Sequence, residues 1–279
     1  MPGAVKVFGS PSSAEVARVL ACLFEKDVEF QLIRVDSFRG SKRMPQYLKL
    51  QPHGEALTFE DGNVTLVESR KIIRHIADKY KNQGNPDLIG MGALERSSIE
   101  QWLQTEAQSF DVPSADVVYS LAYLPAATTQ PNKGGAAADG GRCEEEKNDD
   151  GGRDRRYSSQ RQGGGAGAGG GRDGQMAAAH RQKVEEMRQL FEKSSKELNK
   201  VLDIYEQRLE EAEYLAGDKF TLADLSHLPN ADRLAADPRT LRMLQSRRNV
   251  SRWWADVSGR ESWKQVKSLN RPPSAEAPF

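Results

Sequence analysis

Hydrophobic positions along the first third of the chain change their period several times. "AVKVF" (4–8) reads as a short apolar strand. From Ser13 to Lys26, Val16, Val19, Leu20, Leu23 and Phe24 recur at helical spacing, and "VEFQLIRV" (28–35) then alternates as a strand does. A polar stretch containing Lys42 leads into a short helix expected near 44–50. "ALTF" and "VTLV" flank "EDGN" (60–63), which predicts a hairpin with Asp-Gly at its turn. Glu68 to Tyr80 places Ile72, Ile73, Ile76 and Tyr80 on one helical face.

The order β-α-β-(α)-β-β-α is that of an α/β thioredoxin-like domain, here residues 1–82, in which a parallel strand pair is extended by an antiparallel hairpin and covered by helices. "NQGNPDLIGMG" (82–92) is rich in Gly, Pro and Asn, so 83–92 reads as a linker. Only helical patterns follow, which predicts an all-α C-terminal domain over 93–279. Its first helix runs through Ile99, Trp102, Leu103 and Phe110 towards Leu124, with a kink or break at Pro113. A long helix is expected over 180–213, and shorter ones over 221–236, 239–246, 248–258 and 262–268. Thr221 with Asp224, and Phe220 with Leu225, predict a capping box and hydrophobic staple at one start.

Between the two long helices the composition shifts. Fourteen of the 41 residues from Gly134 to Gly174 are glycine and apolar side chains are almost absent. Such a segment cannot bury enough surface to offset its ordering entropy, so a disordered insert is expected over about 126–177. Seven basic and eight acidic residues in that window exclude a basic nucleic-acid arm.

Charge and cysteine content narrow the chemistry. The chain has 279 residues, with 40 Lys plus Arg against 40 Asp plus Glu, so no polyanionic partner is implied. "MPGAVKVFG" lacks the basic and apolar regions of a secretion signal, and no run of 18 apolar residues occurs. A soluble, cytosolic protein that meets neither membrane nor nucleic acid is the expectation. Two cysteines, Cys22 and Cys143, make neither a CxxC motif nor a disulfide framework, and the four histidines show no metal-ligand spacing. No metal and no redox cofactor are expected. Cys22 lies about two and a half turns inside the first helix and reads as core.

The turn "GSPSSAEV" (9–16) sets two serines at a helix start. A helix N-terminus offers unpaired N–H groups and partial positive charge, which a capping hydroxyl satisfies and which an anion equally exploits. Capping and chemistry therefore both fit Ser12 and Ser13.

"KVFGSPSSAEVARVL" resembles the first strand-turn-helix of the phi class of plant glutathione S-transferases. "FEDGNVTLVESRKI" (59–72) is similar to the hairpin and Glu-Ser-Arg signature of that class, and "LDIYEQRLEEAEYLAGDKFTLADLSHLP" (202–229) to a helix and turn of its second domain. The resemblance implies a homodimeric detoxification and stress-response enzyme conjugating glutathione to apolar electrophiles, with peroxidase activity on organic hydroperoxides as a further expectation. Glutathione would be co-substrate rather than cofactor. The implied residues are Ser13 for the thiolate, Lys42 for the glycine carboxylate, Glu55 and Ala56 for the cysteinyl part, and Glu68 and Ser69 for the γ-glutamyl end. Ser12, Phe110, Tyr119 and Tyr123 are expected around the co-substrate pocket. A carrier of apolar small molecules on the same fold is the alternative.

Three positions depart from the class. Ser41 stands where a histidine is common, Glu55 replaces a glutamine, and Leu57 replaces a proline that is normally cis. A negative charge near an anionic ligand and a lost proline bend both predict weaker glutathione binding than in a typical member.

Overall fold

The computed structural model describes residues 5–34, 57–124 and 170–270, with side chains from 178 onward in the last segment. Strand β1 (Val5–Gly9) and helix α1 (Ala14–Glu25) are followed by β2 (Phe30–Ile33), β3 (Leu57–Asp61), β4 (Val64–Leu66) and α2 (Ser69–Lys79). The sheet order is β2-β1-β3-β4. β1 runs parallel to β2, with Val7 opposite Leu32, and antiparallel to β3, with Gly9 opposite Leu57. The expected parallel pair extended by a hairpin is therefore present. The helix expected near 44–50 lies outside the described residues.

Side-chain alternation explains the sheet. Val5 and Val7 turn inward from β1, while Leu57, Thr58 and Phe59 are all buried on β3, which is covered on both faces. Gly62 forms the hairpin turn at φ +64°, a conformation that suits glycine. The buried carboxylate of Asp61 then ties the hairpin to α2. It pairs with Lys79, bonds His75 Nε2 at 3.0 Å and accepts from the Tyr80 hydroxyl at 3.1 Å.

α1 is buried nearly all round, as a helix wedged between two layers must be. It packs on α2 and on three helices of the second domain. At its C-terminal end the Glu25 carboxylate receives a bidentate Arg260 guanidinium at 2.7 and 2.9 Å, together with Ser262 and Asn85. Those donors hold its pKa below the usual carboxylate range despite burial. Linker, first helix and C-terminal helices are thus clamped at one point.

The second domain comprises α3 (Ala93–Thr105), α4 (Asp111–Leu121), α5 (Gly170–Glu211), α6 (Leu222–Leu225), α7 (Leu228–Ala235), α8 (Pro238–Gln245), α9 (Arg248–Gly259) and α10 (Glu261–Leu269). A π-helical turn, Glu106–Phe110, joins α3 to α4. The break expected at Pro113 therefore falls a few residues earlier. α5 begins at Gly170, so the C-terminal edge of the expected disordered insert, 170–177, is helical instead. Extending an existing helix costs far less than nucleating one, and "MAAA" (176–179) propagates it well. The rest of that insert, 126–169, lies outside the described residues.

The helix expected over 221–236 is two helices. Its first turn carries the predicted capping box: Thr221 Oγ1 accepts from Ala223 N–H, and Asp224 Oδ2 accepts from Thr221 N–H at 3.1 Å. Asp224 Oδ1 also takes Leu215 N–H and Trp253 Nε1–H. Phe220 and Leu225 are both buried beside it. At another start, Glu206 of α5 accepts the N–H groups of Asn249 and Val250 and so caps α9 from a different helix. The four tryptophans pack into or against one core, as their spacing predicts, and Cys22 is fully buried there.

Candidate active site at the start of helix α1

β1 ends at Gly9, whose φ of 150° favours glycine and lets the chain leave the sheet. Ser13 takes the N-cap position of α1 with extended backbone, φ −71° and ψ 136°. Its carbonyl accepts Ala17 N–H at 2.9 Å and its own N–H donates to Ser10 O at 2.9 Å. The half-buried hydroxyl, however, makes no capping hydrogen bond and has no partner among the described residues. An N-cap serine normally spends that oxygen on the N2 or N3 amide. Here position and hydroxyl are decoupled, and the hydroxyl is available to an incoming group.

Ser12 is exposed, with its hydroxyl 2.7 Å from that of Ser10. Its carbonyl accepts from Arg233 Nη2 of α7 at 2.6 Å. Of the two serines only Ser13 combines a helix start with an unengaged hydroxyl.

α2 opens beside this region. Glu68 is its N-cap, exposed and paired with Lys71 at 2.7 Å. Ser69 is buried, and its Oγ accepts from Arg18 Nη1 at 2.8 Å. A hydroxyl that accepts from a guanidinium retains its proton to donate. Arg18, on the buried face of α1, also donates to Ser226 O at 3.2 Å and Glu106 Oε1 at 3.2 Å. Arg70 grips both oxygens of Glu106 at 2.7 and 2.9 Å and reaches Asp111 at 3.1 Å. Asp111 in turn accepts from Asn230 Nδ2 at 2.8 Å. Two arginines of the first domain thus meet two carboxylates placed by the π-turn and the start of α4. Burial pushes the Glu106 carboxyl up, against the pull of both guanidiniums.

Of the residues expected from the sequence, Ser12, Ser13, Glu68 and Ser69 stand at the two helix starts. Lys42, Glu55 and Ala56, with the departure at Ser41, lie outside the described residues. Leu57 is buried at the head of β3 opposite Gly9. Phe110 requires correction: it is 1% exposed, stacked on Tyr205 and tilted against His227, and belongs to the core rather than to a pocket wall. Helical spacing marks a buried face without saying whether protein or ligand covers it. Tyr119 on α4 and Tyr123 in the turn that follows it are 51% and 38% exposed, with hydroxyls 3.3 Å apart.

The sequence pattern does not single out Arg18, Glu106, Asp111 or Arg233, although it holds a signal for two of them. Arg18 falls among Val16, Ala17, Val19 and Ala21 on an apolar helix, and Glu106 follows Leu103 by three residues and precedes Phe110 by four. A charge inside an apolar stripe is buried with a partner or not buried at all. Among the described residues no group of His, Cys, Asp and Glu is arranged to hold a metal ion.

Residues 3–78 match the family described as glutathione S-transferase, N-terminal domain, and 172–261 that described as glutathione S-transferase, C-terminal domain. The chain is 31% identical to glutathione S-transferase F10 of Arabidopsis thaliana, over 93% of this chain and 94% of the relative. It is 32% identical to glutathione S-transferase PARB of Nicotiana tabacum, over 96% and 98% respectively. The crystal structure of glutathione transferase F2 from Populus trichocarpa superposes with a TM-score of 0.69 at 38% identity, covering 95% of this chain and 98% of that one.

Proposed function

The chain belongs to the glutathione S-transferase family, in its phi class, and from that premise we propose that Ser13 holds the glutathione thiolate for attack on apolar electrophiles. The protein is a glutathione transferase. The observation that carries the assignment to Ser13 is its hydroxyl, placed at a helix start yet left unused by the cap.

A free thiol with a pKa near 8.5 is mostly protonated at neutral pH, and lowering it by about two units takes roughly 2.7 kcal/mol. One charge-assisted hydrogen bond supplies about 1.5–3 kcal/mol, and the partial charge of the helix N-terminus adds to it. Ser13 donates to the thiolate in this reading. No group needs to accept its proton in the chemical step, because the thiolate is already the nucleophile.

The α-carboxylate of the γ-glutamyl end suits the start of α2, where the first N–H groups lack helical acceptors and the Ser69 proton is free to donate. Arg18 fixes the Ser69 oxygen, and the exposed Glu68 carboxylate meets the ammonium of the same end. Lys42 takes the glycine carboxylate, and Glu55 and Ala56 take the cysteinyl part. Ser12, Tyr119 and Tyr123 meet the co-substrate in this reading, and an organic hydroperoxide is attacked by the same thiolate. Residues 1–82 would bind glutathione, 83–92 link, and 93–279 furnish the apolar side.

A non-catalytic carrier is not favoured, since the relatives bear the names of transferases. Glutathione as co-substrate supplies the reacting sulfur, and the reading invokes no cofactor. None of the described helices is long and apolar enough to cross a membrane. We place the protein in the cytosol as a homodimer. Met91 and Leu94, 77% and 89% exposed at the start of α3, offer apolar surface for such a contact. The test is a steady-state assay with a chlorinated aromatic electrophile. Ser13→Ala should lose about ten- to a hundredfold in kcat/KM, the equivalent of the missing hydrogen bond. Unchanged activity would remove Ser13 from the mechanism.

A further inference from the structure

The structure assigns Arg233, on α7 of the helical domain, the part of a positioning residue that holds and electrostatically biases the turn bearing Ser13. The inference rests on the reading of Ser13 given above.

The peptide unit between Ser12 and Ser13 is held at both polar atoms. Its N–H donates to Ser10 O at 2.9 Å, and its carbonyl accepts from Arg233 Nη2 at 2.6 Å. The orientation of the Ser13 backbone, and hence of its hydroxyl, is therefore set partly by a side chain from the other domain. That contact joins residues 221 positions apart in sequence. A guanidinium donating to a carbonyl also strengthens that peptide's dipole, and so the amide beside Ser13.

The charge on Arg233 is not neutralised by a contact. No carboxylate lies within ion-pair distance of it among the described residues. Asp111 of α4 is engaged by Arg18, Arg70 and Asn230, and Asp232, next to Arg233 on α7, receives Trp263 Nε1–H and Lys267. Arg18 of α1 is a further positive group in the same surroundings. The guanidinium is half-buried, where a charge is screened less than at the open surface. Asp111 and Asp232 act on Arg233 only from beyond ion-pair distance, so a cation without a direct carboxylate partner among the described residues stands behind the N-terminus of α1, adds to the positive end of the helix and favours a thiolate held there. Arg233 touches the turn rather than glutathione, so it acts on the ionisation of the thiol more than on the affinity for the tripeptide.

The test compares wild type, Arg233→Met, Arg233→Gln, Arg233→Lys and Ser13→Ala. Thiolate absorbance of bound glutathione is titrated against pH, with kcat/KM profiles and thermal midpoints measured in parallel. Arg233→Met is expected to raise the apparent thiol pKa by about half a unit, which lowers kcat/KM at acidic pH roughly threefold and leaves the KM for glutathione nearly unchanged. Arg233→Lys should restore part of the shift. Arg233→Gln keeps a donor for the Ser12 carbonyl without the charge, and serves alone if the methionine variant does not fold; a raised pKa is expected there too. A lowered thermal midpoint with an unchanged thiol pKa in Arg233→Met and Arg233→Gln would reduce Arg233 to a packing contact and overturn the inference. A thiol pKa that Ser13→Ala leaves unmoved would instead overturn the reading of Ser13 on which it rests.

Discussion

The contact between Glu106 and its two arginines sets the strongest single prediction about stability. Glu106 is fully buried and receives Arg18 at 3.2 Å and Arg70 at 2.7 and 2.9 Å, all charge-assisted. Glu106→Leu keeps the volume and removes the charge. Arg18, 1% exposed, is then left with Asp111 at 3.4 Å as its only carboxylate among the described residues. Leaving a buried charge without its partner costs about 3–5 kcal/mol, a large part of a typical stability of about 5–15 kcal/mol. Replacing Glu106 and Arg18 together removes that buried charge and leaves the partly exposed Arg70 on Asp111 at 3.1 Å, so Arg18→Met with Glu106→Leu should recover most of the loss, to within about 1–2 kcal/mol of wild type. Urea unfolding at one fixed protein concentration measures both, because a dimer makes the midpoint concentration-dependent. A Glu106→Leu variant within about 1 kcal/mol of wild type would show that the network is hydrated in solution, and would refute the reasoning.

Two further predictions concern the core and the ligand's seat. His227 accepts from the Tyr205 hydroxyl at Nε2 and donates from Nδ1 to Ala223 O, and burial pulls its pKa down to about 3. The folded state favours the neutral ring, so this stabilisation is complete above about pH 6.5 and is lost as pH falls from there towards 3. Between pH 6.5 and 4, His227→Gln should therefore lose stability less steeply than wild type in urea titrations; parallel slopes would contradict the assignment. Leu57 heads β3, a position where proline is tolerated, and Leu57→Pro should tighten glutathione binding by calorimetry. An unaltered Kd would mean that this departure from the class is not what weakens the site.

Most of the first domain is legible in the chain because its apolar positions have clean periods. "AVKVF", the Val16-to-Phe24 stripe and the Asp61-Gly62 turn each specify one element, and each element is found. The π-turn at 106–110 is not legible, since a single wider turn leaves the helical stripe of Leu103, Glu106 and Phe110 almost intact. The division of 221–236 at Ser226 and His227 is hidden for a similar reason, because apolar residues continue through it. In the site, the position of Ser13 is readable and the state of its hydroxyl is not. Whether a side-chain oxygen is spent on the cap depends on its rotamer, which spacing does not encode. Arg233 is unreadable on any local ground, because its partner is a backbone carbonyl in the other domain.

In the mechanism proposed here Ser13 lowers the pKa of the glutathione thiol. Titrating the thiolate of glutathione bound to wild type and to Ser13→Ala measures it directly. The variant should still bind glutathione, with the thiol pKa raised by about one to two units, as the loss of one charge-assisted hydrogen bond requires. The same pKa in both proteins would contradict that mechanism.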